Sequence, residues 1–346
     1  MRAYLDWNAT TPLRDEARAA MRDGMDIVGN PSSVHAEGRA ARMAMERARE
    51  RIAAALGADG ADVIFTSGAT EAAAMVLAGR GIRCAAVEHS AIKAWCEPDL
   101  PVDGDGIVSV PDPATASLQL ANNETGVVQD LPQGLGSSDL TQAFGKIPLA
   151  FNWLGVTAGF VSAHKLGGPK GIGALIVGRG TDVEAMIRGG GQEQGRRGGT
   201  ENLIGILGFA AAAMAAQRDL EAGLWDEVAG RRDRLEDRLL DIAPQAIVAG
   251  KSAKRLPNTT CLLTSGWKGE TQVMQMDLAG FAISAGSACS SGKVRSSGAL
   301  QAMGFDDKAA QSAVRISISP FVGDDEVNRF ADAWEDAYRR WRERNG

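Results

Sequence analysis

Short apolar runs rich in Val, Ile and Phe alternate along the chain with longer Ala-rich stretches of helical period. That alternation predicts βαβ units around a mostly parallel sheet. The strand candidates are DVIFT (62–66), RCAAV (83–87), SLQLA (117–121), GFVSA (159–163) and ALIVG (174–178). Ahead of the first, GNPSSVHAEGRAARMAMERARERIAAALGAD reads as a loop, a serine cap at Ser32 or Ser33, and a helix closed near Gly57. From about residue 201 long helical patterns lead to TTCLLT, AISAG and VRISIS, then to a terminal helix expected from about Asp324 to Glu343. The expected organisation is an α/β chain. A large sheet domain covers 12–220, and a smaller α+β domain combines 1–11 with 221–346.

A chain of 346 residues is long enough to bury a sizeable core in that arrangement. Its net charge of −6 comes from well-mixed acids and bases, leaving no long basic block for nucleic acid. No run of about 18 apolar residues marks a membrane span, and MRAYLDWNATTP lacks the pattern of a signal peptide. A cytoplasmic, non-membrane protein is expected. The four cysteines form no CxxC and the three histidines no HxxxH, so no metal site is expected.

Four stretches carry candidate chemistry. DVIFT runs into SGATE (67–71) and an Ala-rich helix, which puts the amides of Gly68, Ala69 and Thr70 at a helix N-terminus, suited to an anion. In SAHKLGGPKG (162–171), Ser162 and His164 are expected on one strand face, with Lys165 where the strand ends. Ligands of open α/β folds bind at that edge, and desolvation there lowers a lysine pKa enough for Schiff-base chemistry. Lys170 reads as a solvated charge. The glycine-rich GGGQEQGRRGGTEN (189–202), with Gln192, Arg197 and Thr200, is equally compatible with a flexible linker and an anion-binding loop. In SAGSACSSGKVRSSGAL (284–300), Cys289 stands among Ser and Gly, unlike Cys84 and Cys261, and suits an exposed nucleophile with Lys293 and Arg295 nearby to favour its thiolate.

These motifs, with YLDWNATTP, GNPSSVH, EHSAI, NNETG and VRISIS, occur in an order that closely resembles the cysteine desulfurases of the class V aminotransferase family, the NifS/IscS-like type with a long catalytic loop. The resemblance covers nearly the whole chain. It implies a fold type I transferase dependent on pyridoxal 5'-phosphate, with L-cysteine as substrate and L-alanine plus a cysteine persulfide as products. Lys165 would hold the cofactor as a Schiff base and move a proton, while His89 would stack on its ring. Asp139 would pair with the pyridinium nitrogen. Gln142 and Asn123 would bond the O3′ side, Asn123 also reaching the substrate carboxylate. Ala69, Thr70, Ser162 and His164 would hold the phosphate, joined by Thr200 from the second subunit of a homodimer. Alternation in VRISIS leaves Arg315 on the face opposite Val314, Ile316 and Ile318, where it would clamp the substrate carboxylate. Cys289 would take up the sulfur for a sulfur-acceptor protein, such as an iron-sulfur scaffold, or for thio-modification.

The chain departs from the family pattern in one region. Only fifteen residues separate Asn123 from Asp139, too Gly- and Pro-rich for the usual helix, and VSVPDPATAS replaces a second helix between Ile107 and Leu118. Ser137 stands where a histidine is usual. A sheet face stripped of helices suggests coverage of residues 100–155 by a partner protein or the dimer mate. The competing readings are a selenocysteine lyase or other class V lyase, and a scaffold of the same fold without turnover.

Overall fold

The computed structural model describes residues 2–286 and 296–345. Asp62–Thr66 pairs antiparallel with Gly173–Val177, which pairs antiparallel with Val156–Ser162; Leu135–Asp139 then adds in parallel. The sheet continues through residues 116–120. Leu118 N–H donates to Ser137 O (3.1 Å) and Ser117 N–H to Arg83 O (2.9 Å), reaching the parallel pair Arg83–Ala85 and Glu97–Leu100. Gly173–Val177 is thus antiparallel to both neighbours, and the pairings beyond it are parallel. Expected strand SLQLA holds its place by isolated bridges instead of a continuous ladder. The cause is local: the Gln119 amide donates to the Glu88 carboxylate at 2.7 Å.

Two sequence expectations shift. The helix after GNPSS spans Ala36–Ala55 and its cap is His35, whose Nδ1 accepts from Gly38 N–H; neither Ser32 nor Ser33 caps it. Asn30 accepts from the amides of Ser32 and Ser33, so the chain is still turning at both serines. The strand of the lysine motif ends at Ser162, and Ala163–Lys165 forms one 3-10 turn, so His164 does not share a strand face with Ser162. Helix closure near Gly57 is as expected: this glycine has φ +59°, and a Cβ there would lie 2.7 Å from the Ala150 backbone.

Helix Leu203–Glu221 is long and apolar enough to cross a membrane by length and composition. It packs here against Asp15–Met25 and Ala36–Ala55, with Ile206, Phe209 and Ala213 inside the sheet-domain core. A separate apolar cluster joins Leu5 and Trp7 to Trp225, Leu235, Trp267, Phe281, Trp334 and Tyr338. It lies on a sheet of Ser284–Ala285, Val314–Ser317, Thr259–Leu263 and Ile247–Val248. Ala3–Tyr4 pairs in parallel with Phe281–Ala282, which ties the start of the chain to this later part.

A further cluster fills the region where helices are missing. Ala85, Val87, Leu118 and Leu135 pack against Ala249, Cys261, Leu300, Met303 and Ala313 of the same chain. Within the stretch expected to need a partner, Leu118 and Leu135 are therefore covered from within, while Ile107 and Trp153 stay exposed. The terminal helix runs Asp324–Asn345.

Candidate active site

Ligand sites of open α/β sheets form outside the C-terminal strand ends, and here several chain segments leave the sheet toward one cavity. It measures about 180 Å³ and is lined by Asn8, Ala69, Thr70, His89, Gln119, Asn123, Asp139, Gln142, Lys165 and Arg315, among others. Nine residues singled out from sequence bear on it directly: eight line it, and Ser162 stands just behind.

Lys165 Nζ donates to the backbone carbonyls of Asn8 (2.7 Å) and Ala9 (2.8 Å). Asp139 ends its strand, with Oδ1 accepting from Thr141 N–H at 2.9 Å. His89 caps the short helix Ser90–Lys93 through Nδ1, which accepts from Ala91 N–H at 3.2 Å and fixes the ring's edge. Ala69 and Thr70 open helix Ala69–Leu77, whose first amides lack intrahelical partners by construction. Ser162 Oγ accepts from Ala69 N–H at 2.8 Å, bracing the helix start against the neighbouring strand. Glu71 N-terminally locks the same turn: its carboxylate accepts from Ser67 N–H (2.7 Å) and pairs with Arg197 (2.9 Å). Burial works to raise the Glu71 carboxyl, but Arg197 and Ser67 hold it below the usual range.

Arg315 is only 2% exposed, so it does not belong to a solvated strand face. Nη2 pairs with Asp6 at 2.7 Å and Nη1 donates to Asn123 O at 3.0 Å, while Nε is buried without a partner among the described residues. A guanidinium held this way keeps unsatisfied donor capacity for an anion.

His164 does not line the cavity. Its Nδ1 lies 3.1 Å from Thr10 Oγ1, and burial, with Lys165 and Lys170 adding, pulls its pKa down to about 4. Thr200 is exposed at the end of the glycine-rich segment and lies outside the cavity lining. That segment is built rather than linker-like. Glu193 is buried and bidentate to Arg49 (2.8 and 2.9 Å), while Arg196 pairs with Asp62 at 2.9 Å. Cys289, Lys293 and Arg295 lie outside the described residues. Cys84, Cys96 and Cys261 are buried thiols, and burial pushes Cys261 up to about 12, which suits no nucleophile at neutral pH.

Sequence reasoning assigned no role to Asn8, Gln119, Thr141 or Ala9, all on the cavity wall. YLDWNATTP was the available signal for two of them. Glu88, beside His89, is also deep: burial pushes its carboxyl well above the carboxylate range, with the Asp139 charge acting the same way against the Gln119 amide bond.

The donor set fits pyridoxal phosphate in its chemistry: an amine, an imidazole, a carboxylate, a helix N-terminus and a buried guanidinium share one cavity. Comparison with known proteins agrees in direction. Residues 3–97 and 106–330 match the aminotransferase class-V family. A cysteine desulfurase of Cereibacter sphaeroides is 38% identical, covering 96% of this chain and 94% of that protein. The cysteine desulfurase NifS of Azotobacter vinelandii is 34% identical over 94% of this chain and 90% of its own. A NifS-like protein from Rickettsia africae ESF-5, solved by X-ray crystallography, superposes with a TM-score of 0.89 at 30% identity, covering 98% of this chain and all (100%) of that one.

Proposed function

Since the chain belongs to the class V aminotransferase family, among its cysteine desulfurases, we propose that it removes sulfur from L-cysteine, leaving L-alanine and a persulfide on Cys289. The observation that carries this reading is the meeting of Lys165, His89, Asp139 and Arg315 on one cavity. Pyridoxal 5'-phosphate, when bound, supplies an aldehyde that condenses with amines and a ring that accepts the electrons released at the substrate Cα.

The protein's own groups supply the rest. The Lys165 amine, close to two backbone carbonyls, holds and returns a proton at the reacting carbon. Asp139, at its strand end, offers a carboxylate for a ring nitrogen, and His89 a flat face for stacking. The helix start at Ala69 and Thr70 suits the phosphate, with the Thr70 amide facing it and Ala69 held by its N–H to Ser162 Oγ; His164, neutral at pH 7, and Thr200 of the second subunit of a homodimer complete it in this reading. Gln142 and Asn123 face the ring's oxygen side, and Arg315 with Asn123 orients the substrate carboxylate. Cys289 then accepts the sulfur, for transfer to an acceptor protein such as an iron-sulfur scaffold, in the cytoplasm. Division into 12–220 against 1–11 with 221–346 is supported by the separate apolar clusters around Phe209 and around Trp334.

Purified protein incubated with pyridoxal phosphate and L-cysteine should release alanine and carry a cysteine persulfide. Lys165→Ala should abolish alanine formation, and Cys289→Ser should abolish persulfide. Wild-type sulfide release by Cys289→Ser would transfer the assignment to a lyase that needs no cysteine acceptor. No alanine from the wild type would leave only a scaffold.

A further inference from the structure

Lys146 is 1% exposed, and nothing in the functional reading uses it. Charged lysines are almost never buried so completely without a carboxylate. Its two partners are amide oxygens: Asn8 Oδ1 at 2.9 Å and Gln142 Oε1 at 2.5 Å. Burial, with the charges of Lys165 and Arg315 adding, draws its pKa well below the usual lysine value. Two of its N–H groups are spent on these two oxygens.

Because an amine at this point donates to both oxygens, it decides which way two side-chain amides face. Gln142 must turn its oxygen to Lys146, which leaves its NH2 to donate to Asn8 O (3.0 Å) and, with the second proton, into the cavity it lines. Asn8 must turn its oxygen to Lys146 and Asn258 (3.1 Å), so that its NH2 donates to Thr259 Oγ1 (2.8 Å). The same Asn8 carbonyl that receives Gln142 also receives Lys165. Amide orientation cannot be chosen by shape alone, since O and N are nearly isosteric; here the Lys146 donor acts together with backbone acceptors, Asn8 O for Gln142 and Asn123 O (3.4 Å) for Asn8.

We propose that Lys146 is a positioning residue that holds Gln142 with its NH2 toward the cavity and Asn8 with its side-chain oxygen away from it, on the residue whose backbone carbonyl receives Lys165. The ligand group facing Gln142 must then be a hydrogen-bond acceptor. The effect on cofactor binding rests on the functional reading above; the lock itself does not.

Two measurements test it. In the wild-type protein without cofactor, the Gln142 side-chain NH2 resonances, assigned by their loss in Gln142→Leu, should show contacts to the Lys165 side chain and none to the Lys146 Cε protons. Contacts to Lys146 instead would place the amide in the opposite flip and overturn the proposal, whether or not any variant folds. Second, the dissociation constant for pyridoxal phosphate is measured by equilibrium dialysis in a double-mutant cycle. Lys146→Met should weaken binding about tenfold, the scale of one misdirected hydrogen bond, and less than about twofold when Gln142 is already Leu. Equal weakening in both backgrounds, or none in either, refutes the lock. Failure of the wild type to take up pyridoxal phosphate sinks the functional reading, while the resonance measurement still decides the role of Lys146.

Discussion

Glu193 and Gln194 both adopt left-handed backbone angles, φ +48° and +58°, without being glycine. Each such residue costs about 1–2 kcal/mol, so something must hold the segment. The Glu193 side chain is 2% exposed, bidentate to Arg49, and accepts from Phe65 N–H at 3.0 Å; Arg49 is 20% exposed and lies 4.5 Å over the Phe65 ring. Burial works against the Arg49 charge, yet the Glu193 bond and charge, then those of Glu46, keep its pKa raised. Removing one partner of a buried pair typically costs about 3–5 kcal/mol, chiefly because the other charge is stranded. Arg49→Met strands a nearly inaccessible carboxylate and should cost about 4 kcal/mol. Glu193→Gln strands a guanidinium that still has Glu46 and some solvent, so about 2 kcal/mol is expected after that discount. The double substitution should cost at least about 2 kcal/mol less than the sum of the singles. The assay is urea unfolding of cofactor-free protein at one fixed concentration, since ligand and association add their own stabilisation. Hydrogen exchange over 189–202 should rise in each single variant. Additivity within about 0.5 kcal/mol would refute the clasp as the element that holds this segment.

Arg315→Lys keeps the charge but loses the fork that spans Asp6 and Asn123; the KM for L-cysteine should rise about 10- to 100-fold, and an unchanged KM would remove Arg315 from substrate binding. Gly173→Ala would put a methyl 2.4 Å from Val161 O and 2.6 Å from the Gly68 Cα, so the strand must shift from the helix start that bears Ala69; a loss of roughly 3 kcal/mol in urea unfolding is expected, and full stability would contradict the packing. His164 has a folded pKa of about 4 against 6.5 unfolded, so the unfolded state binds the proton first as pH falls. Its contribution is complete above about pH 6.5 and declines toward pH 4, by on the order of 2 kcal/mol after discounting for the solvated part of the ring. His164→Phe should flatten stability against pH across that window in the cofactor-free protein; an unchanged slope would show that the ring is not held neutral.

The cavity was legible in the sequence to the extent that it follows from strand ends. Lys165 and Asn123 each follow an apolar run, and a run that ends at a sheet edge delivers its next polar residues there; Asp139 closes the largely polar strand LGSSD, which has no apolar run to mark it, and was reached only through the resemblance. Arg315 was legible by alternation with Val314 and Ile316, though its burial was not, because only packing on Asp6 and Asn123 closes that face. Lys146 was invisible: in AFGKIPL it reads as a turn lysine, and its partners include a residue 138 positions away. Glu193 was hidden for the same reason, since its segment resembles a linker until Arg49, 144 positions earlier, is brought against it. Local pattern reports period and propensity, whereas burial of a charge depends on partners that only the fold supplies.

The shortened crossover before Asp139 bears on the site less than its length suggests. A crossover returns the chain to the sheet, but the height of a strand end is set by its ladder bonds. Leu135–Asp139 is held on one side by Val156–Ser162, with Asp139 opposite Phe160, and on the other by Leu118 N–H to Ser137 O and Leu120 N–H to Asp139 O (2.9 Å). Those bonds fix Asp139 whatever precedes Leu135. What the missing helices would have supplied is cover for Leu118 and Leu135, and Leu300 and Met303 supply it instead. That substitution brings helix Gly298–Ala302 against the sheet, where its cap Ser297 donates to Glu124 Oε2 at 2.5 Å, next to Asn123 on the cavity wall. The polar end of the strands is thus held by ladder bonds, while a later part of the chain packs on the face over Leu118 and Leu135.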